Sequence, residues 1–91
     1  MESLCKEELL EIHRDRIQLI DEEVSELLKQ RMDTSIAIGK IKKENNIAVC
    51  DPCQEVKVLE RVTKLAKTNG LDSEFVVKLY RLIMEESKRL Q

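Results

Sequence analysis

The sequence has few of the residues that interrupt helices. Its 91 residues include two Gly, one Pro, one Phe, one Tyr and no Trp, while Leu, Ile, Val, Glu and Lys are abundant. Gly and Pro are the poorest helix formers, and straight-chain residues are among the best. The composition therefore predicts an all-α fold.

Long apolar runs and basic blocks are also missing. No apolar stretch approaches the roughly 20 residues that a membrane-spanning helix requires, and the N-terminal segment MESLCKEELLEIHRDR is too charged for a secretory signal. Acidic and basic residues are interspersed, with a formal net charge of -2, whereas nucleic-acid-binding surfaces carry basic stripes. We expect a cytoplasmic protein with no nucleic-acid or membrane partner.

Cysteine is scarce as well, but two of the three cysteines, Cys50 and Cys53, form a C-x-x-C in the segment VCDPCQE. A zinc site with four ligands would have to add the distant Cys5 and the single His13. A redox pair is reasonable at a helix N-terminus, where thiolates are stabilised, but no thioredoxin-type strand precedes it. We therefore predict that both cysteines flank a helix start and that the protein uses no metal or cofactor.

Start and stop signals divide the chain into three helices. Apolar residues recur at helical spacing from Leu4 to about Asn45. Asp51 followed by Pro52 predicts the start of a second helix, which runs to about Asn69 and ends at Gly70. Asp72 predicts the start of a third helix, which runs through Leu90.

The first helix is too long for a chain of this size to cover by itself. About 40 residues at 1.5 Å each would extend roughly 60 Å, so we expect its far half to pack against a second copy in a homodimer. We treat residues 1–91 as one domain, which we expect to leave no room for a regulatory domain or another fused domain.

Two cationic residues interrupt the apolar face of the first helix. The stripe of Ile17, Ile20, Val24 and Leu27, continued at the same spacing, reaches Arg31. A guanidinium on a core face requires an anion, because an unpaired buried charge is very costly. Lys42 follows three turns later, about 16 Å along the same face. The two side chains would leave room for a small dianion.

The other two helices carry polar residues on their apolar faces too. Extending the second stripe backward reaches Glu55, and extending the third forward reaches Ser87 and Gln91. One interpretation is structural, with Arg31 paired to Glu55 and with Ser87 and Gln91 reaching solvent as the helix frays. The convergence of the whole set favours a small-molecule site.

Arg14 joins this set only in a dimer. It precedes Arg31 by 17 residues, or about 25 Å of helix, so it cannot reach that cavity from its own chain. In an antiparallel pairing of two long helices, Arg14 of the other copy could reach it. Taken alone, Arg14 is expected on the surface.

At these positions the chain resembles the all-helical chorismate mutases, which are small three-helix proteins that form an intertwined homodimer. The resemblance covers essentially the whole chain. It rests on HRDRIQLIDEEVSELLKQRM, on IGKIKKENNIAVCDPCQEVKVLERV with its G-K-x-K followed by D-P-x-x-E, and on GLDSEFVVKLYRLIMEES. Each motif is weak alone, but their order and spacing make the combination specific.

The resemblance implies how the substrate carboxylates would be bound. Arg31, with Arg14 of the other subunit, would bind the two carboxylates, and Ser87 would assist at one of them. Many members carry an Arg where this chain has Gln54. Loss of that cation would weaken substrate binding, unless Gln54 serves chiefly to cap the second helix.

The resemblance also assigns groups to the rest of the substrate. Lys42 and Gln91 would hydrogen-bond the ether oxygen of the breaking C–O bond from opposite sides. Glu55 and the backbone at Asp51 would hold the ring hydroxyl. Gln91 is the last residue of the sequence, where helices fray, so either binding orders it or its contribution is smaller than usual.

The implied reaction is the rearrangement of chorismate to prephenate, an intramolecular pericyclic step on the route to phenylalanine and tyrosine. Two alternatives stay open. A lyase that removes pyruvate from isochorismate would use a similar cationic pocket, although the D-P-x-x-E segment favours the mutase. A non-catalytic helical dimerisation module would use its core charges to set register.

Overall fold

The computed structural model describes residues 3–91 as three α-helices. These are α1 (Lys6–Glu44), α2 (Pro52–Thr68) and α3 (Ser73–Leu90), and residues 3–91 contain no strand. The prediction of an all-α fold with one long and two shorter helices is confirmed.

Two compact units divide the chain, and the division falls within α1. The first unit ends at Arg31, and the second comprises Met32–Gln91. In the first unit, the apolar stripe Ile17, Ile20, Val24 and Leu27 is exposed, with Leu27 at 62% and Ile17 at 58% of full exposure. The second unit contains the end of α1 together with α2 and α3.

A left-handed residue ends α1. Asn46 has a φ of 56°, a conformation that Asn adopts more readily than most residues. The amide of Ile47 donates to the Lys42 carbonyl at 2.7 Å, and the amide of Asn46 donates to the Lys43 carbonyl at 3.4 Å. These two bonds satisfy carbonyls that the end of the helix would otherwise leave unpaired. They also turn the chain back toward the last turn of α1.

The boundaries of α2 form at the residues that the sequence predicted. Asp51 is the N-cap, and its Oδ1 accepts a hydrogen bond from the Gln54 amide at 3.2 Å, with Pro52 in the first turn. At the other end, Gly70 takes a φ of 70°. The amide of Leu71 then donates to the Ala66 carbonyl at 2.8 Å, as in a Schellman cap.

Asp72 starts α3, since its Oδ1 accepts a hydrogen bond from the Glu74 amide at 3.2 Å. The short connection makes α2 and α3 a helical hairpin with a small core. Apolar side chains four residues apart on α2 lie on one face and are buried against α3. The cluster is Val58, Val62, Ala66 and Val76, with Tyr80 and Met84 packed against it. Burying one valine side chain of this cluster contributes roughly 1.5–3 kcal/mol.

The hairpin determines which ends of the helices meet. Because α3 returns along α2, the first turn of α2 lies beside the last turns of α3, as an ion pair between Glu55 and Lys88 shows. None of the helices formed by residues 3–91 combines the length and the apolar character needed to cross a membrane.

Candidate active site

Lys42 lies in the last turn of α1, where the following loop fixes its ammonium group. Its Nζ donates a hydrogen bond to the backbone carbonyl of Val49 at 3.0 Å, and the side chain is half-buried. The turn at Asn46 brings that carbonyl within reach. A cation at this end of a helix also interacts favourably with the helix dipole. Lys42 is therefore a fixed positive charge with donor capacity beyond its one carbonyl contact.

Small residues precede Lys42 on the same face of α1. Ser35, Gly39 and Lys42 are spaced by four and three residues, which aligns them on one side of a helix. Ser35 donates a hydrogen bond to the Ser87 hydroxyl at 3.0 Å, and Ser87 donates to the Met32 sulfur at 3.6 Å. Ser35 and Ser87 are only 6% and 7% exposed. The interpretation that Ser87 reaches solvent as α3 frays is wrong.

Gln91 packs directly on Gly39. A Cβ at position 39 would lie 2.9 Å from both Cβ and Cγ of Gln91 and 3.0 Å from its Cα, closer than carbon atoms approach. The Gln91 amide donates to the Ser87 carbonyl at 3.1 Å, so the residue continues the helical hydrogen bonding of α3. Its Oε1 is buried and accepts no hydrogen bond from residues 3–91. A buried carbonyl oxygen without a partner is costly, and a bound ligand or water commonly satisfies such a group.

Glu55 lies in the first turn of α2 and forms an ion pair with Lys88 of α3. Lys88 Nζ lies 2.8 Å from Glu55 Oε1, and each side chain is about one-third exposed. The hydrogen bond to Glu55 raises the pKa of the Lys88 ammonium above its ordinary value, and Cys50 and Glu85 add to the effect. Glu55 is thus held where the first turn of α2 lies beside the last turns of α3.

The N-cap of α2 is exposed beside Glu55. Asp51 and Gln54 are both exposed, and the Gln54 amide donates to the Asp51 carboxylate. The backbone carbonyl of Asp51 accepts from the Glu55 amide at 3.0 Å. Gln54 therefore takes part in the cap through its backbone, which leaves its side chain outside that interaction.

The two predicted arginines belong to the first unit. Arg14 is exposed and lies 3.9 Å from the carboxylate of Glu11, one turn away on α1. Both side chains of this pair are about two-thirds exposed, so the pair is a weak surface interaction. Arg31, the last residue of the unit, is half-buried. Within the chain, Arg14 is a surface residue, as expected for it alone.

The second unit thus holds the remaining predicted residues, together with some that sequence reasoning missed. Lys88, Ser35, Met32 and the Val49 carbonyl were not predicted. The spacing of Ser35 and Gly39 before Lys42 is a signal that could have found Ser35. Nothing in the sequence identifies Lys88 or Val49, since their contacts depend on the α2–α3 hairpin and on the turn after α1.

The three cysteines form no disulfide bond. Cys5, Cys50 and Cys53 are free and exposed. Among residues 3–91, no group of three His, Cys, Asp or Glu side chains is arranged to hold a metal ion.

Comparison of the sequence with known proteins identifies one family. The sequence model of chorismate mutase type II matches residues 13–91. The chain is 31% identical over 85 residues to the chorismate mutase of Methanocaldococcus jannaschii, which covers 93% of this chain and 85% of that protein.

Longer proteins match as well. The chain is 39% identical over 80 residues to the bifunctional chorismate mutase/prephenate dehydratase of Buchnera aphidicola from Acyrthosiphon pisum, covering 88% of this chain and 21% of that protein. The protein of the same description from Escherichia coli K12 is 34% identical over 74 residues, covering 81% of this chain and 19% of that protein. The chain therefore spans about one fifth of the length of these bifunctional relatives. It belongs to the chorismate mutase type II family.

Proposed function

We propose that this chain catalyses the rearrangement of chorismate to prephenate. The observation that carries the proposal is the buried Oε1 of Gln91, which has no hydrogen-bond partner among residues 3–91. Gln91 packs through its carbon atoms on Gly39, on the face of α1 that carries Lys42. An unsatisfied carbonyl oxygen there suits a ligand group that donates a hydrogen bond. A half-turn about the last side-chain bond of Gln91 would present its amide N–H to an acceptor, such as an ether oxygen, from the same place. Membership of the chorismate mutase type II family identifies the substrate class that the proposal assigns to it.

The proposed chemistry fits a site built from fixed charges and amides. In the rearrangement, the ether C–O bond breaks while a C–C bond forms within the same molecule, so no atom or electron is gained or lost. Negative charge develops on the ether oxygen as its bond to carbon breaks. A fixed ammonium and an amide N–H stabilise that charge without transferring a proton. Lys42 and Gln91 would supply these two donors.

The other residues of the second unit would hold the substrate in its reactive conformer. In the proposal, Glu55 and the backbone at Asp51 hold the ring hydroxyl, and Ser87 assists at a carboxylate. The hydrogen bond from the Ser87 hydroxyl to the Met32 thioether supports this role. A thioether is a weak acceptor, so a substrate carboxylate would be the preferred partner of the hydroxyl. Gln54 is proposed as a minor contributor at the edge of the site, because it supplies no cation.

The proposed functional form is an intertwined homodimer with shared active sites. In this form, Arg31 and the Arg14 of the partner subunit bind the two substrate carboxylates. The exposed apolar stripe of α1 in the first unit supports the homodimer, because a second copy would cover it. Monomeric proteins rarely expose a large contiguous apolar patch. Residues 1–91 would then act as a single mutase domain within each subunit.

We further propose that the protein acts in the cytoplasm. Its three cysteines are all free, as is usual where glutathione and thioredoxin keep thiols reduced.

Two other functions remain as outcomes of the test. A lyase would release pyruvate from isochorismate, and a dimerisation module would turn over neither compound. The family match and the relatives named above favour the mutase.

Purified protein mixed with chorismate should lower the absorbance of chorismate and form prephenate, which acid converts to phenylpyruvate. A parallel reaction with isochorismate should release no pyruvate. Pyruvate release without prephenate would support the lyase. A folded protein that consumed neither compound would overturn the proposal.

A further inference from the structure

The ion pair between Lys88 and Glu55 joins two helices at the edge of the proposed site. Lys88 Nζ approaches Glu55 Oε1 to 2.8 Å across the ends of α3 and α2. Both side chains are partly removed from solvent, in contrast to the neighbouring Arg89, which pairs within its own helix with Glu86 and is 69% exposed. The two adjacent cations of α3 thus have different surroundings.

The contact restricts a side chain that would otherwise be mobile. A glutamate in the first turn of a helix has several rotamers, and holding one of them costs conformational entropy. Lys88 contacts Oε1 of Glu55, which restricts the carboxylate. Both acceptor sites of Oε2 are then left for further hydrogen bonds. Glu55 also neutralises Lys88, which disfavours Lys88 as a binder of a substrate carboxylate.

We propose that Lys88 is a positioning residue, which orients the Glu55 carboxylate to accept the hydrogen bond of the substrate ring hydroxyl. The inference rests on the proposed function, because it gives Lys88 a task only if Glu55 binds that hydroxyl. Misplacing a group that contacts the substrate lowers the rate even when the group itself is intact.

The first experiment compares Lys88→Met with Arg89→Met. Both variants remove one cation and one ion pair from the same turn of α3. We expect Lys88→Met to lower kcat/KM about tenfold and Lys88→Arg to restore part of the loss. Arg89→Met should keep kcat/KM within about twofold of the wild type, since its pair is intrahelical and exposed. Thermal unfolding of each variant confirms that the folded protein is being compared.

A second comparison separates positioning from a purely structural role. If Lys88 acts through Glu55, Lys88→Met should have no further effect on kcat/KM in a Glu55→Gln background, because coupled residues are not additive. Where a variant turns over too slowly, the affinity for prephenate, measured by calorimetry, allows the effect of Lys88→Met to be compared in the two backgrounds.

The outcomes are distinct. Unchanged kinetics of Lys88→Met in an active wild-type background would overturn the inference and leave the proposed function standing. An equal loss in both backgrounds would also overturn it, because Lys88 would then act independently of Glu55. A wild-type protein that does not convert chorismate would overturn the proposed function and the inference together.

Discussion

Gly39 matters because it lets Gln91 pack against the backbone of α1. The separations of 2.9–3.0 Å leave no room for a side chain at this position. Gly in a helix interior costs about 1 kcal/mol relative to Ala, so its presence here is unfavourable for α1 alone. The close approach of Gln91, whose amide the proposal assigns to the ether oxygen, gives a physical reason for that cost.

We expect Gly39→Ala to displace Gln91 and to lower kcat about ten- to hundredfold, less than complete removal of a donor, because the displaced amide is still present and a hydrogen bond to a charged group contributes about 1.5–3 kcal/mol. The free energy of unfolding should stay within about 1 kcal/mol of the wild type, because the gain in helix propensity offsets the lost packing. Steady-state kinetics measures kcat, and chemical denaturation measures the free energy of unfolding.

Gly70→Ala is the matched control. Position 70 has open space around it but a φ of 70°, so Ala there should destabilise the fold by about 1–2 kcal/mol and leave turnover intact. Full activity in Gly39→Ala would show that the packing of Gln91 on Gly39 has no part in catalysis.

At the scale of the helices, the last two turns of α3 carry two kinds of ion pair. Glu86 and Arg89 pair along the helix, whereas Lys88 pairs with Glu55 of α2. The hydrogen bond from Arg89 holds the pKa of Glu86 below its ordinary value. A lowered carboxyl pKa stabilises the folded state at pH values above the unfolded pKa, and this contribution is lost as the pH falls through the folded pKa.

The sign of this effect gives a pH prediction. Arg89→Met should lower the melting temperature slightly at pH 7, and the difference from the wild type should shrink below about pH 4.3, the ordinary pKa of a glutamate. Calorimetric melting curves from pH 7 to pH 3 test this. A difference that stays constant over that range would contradict the assignment to Glu86.

The pH dependence of stability should run in the opposite direction for the pair between Lys88 and Glu55. Because the pKa of Lys88 is raised, the stability from its ammonium is complete below the ordinary lysine pKa of about 10.4 and is lost at higher pH.

The sequence predicted the elements better than it predicted the contacts between them. Asp51 with Pro52, Gly70 and Asp72 marked the helix ends because capping depends on neighbouring residues. Glu55, Ser87 and Gln91 stood out because they interrupt apolar stripes. The partnership of Glu55 with Lys88 could not be predicted, because these residues are far apart in sequence and meet only through the hairpin. The hydrogen bond from Lys42 to the Val49 carbonyl likewise depends on the left-handed turn at Asn46.

At the scale of the whole molecule, many apolar side chains are exposed to solvent in a single chain. They include the stripe of α1 in the first unit and, in the second, Phe75, Leu79 and Leu82. Burial of such surface against a second copy is the proposed source of dimer stability. The homodimer stays a prediction, and its sharpest consequence concerns the shared site.

If each site takes Arg14 from one subunit and Lys42 from the other, two inactive variants should complement each other. Arg14→Ala and Lys42→Ala are each expected to be nearly inactive. After mixing, unfolding and refolding, half of the dimers would be mixed, and each would contain one intact site, which restores roughly a quarter of the wild-type activity. Refolding each variant alone is the control, and no recovery in the mixture would rule out shared sites.

Prephenate formation by the wild-type protein and by Lys42→Ala tests the proposed activity most directly. Lys42 supplies a fixed charge and does not build the hairpin core, so the variant should fold and assemble as the wild type does. We expect the wild type to convert chorismate and Lys42→Ala to lose nearly all turnover, since removing one donor to a developing oxyanion costs about a hundred- to a thousandfold. A folded wild-type protein without turnover, or a Lys42→Ala variant with undiminished turnover, would contradict the proposed site.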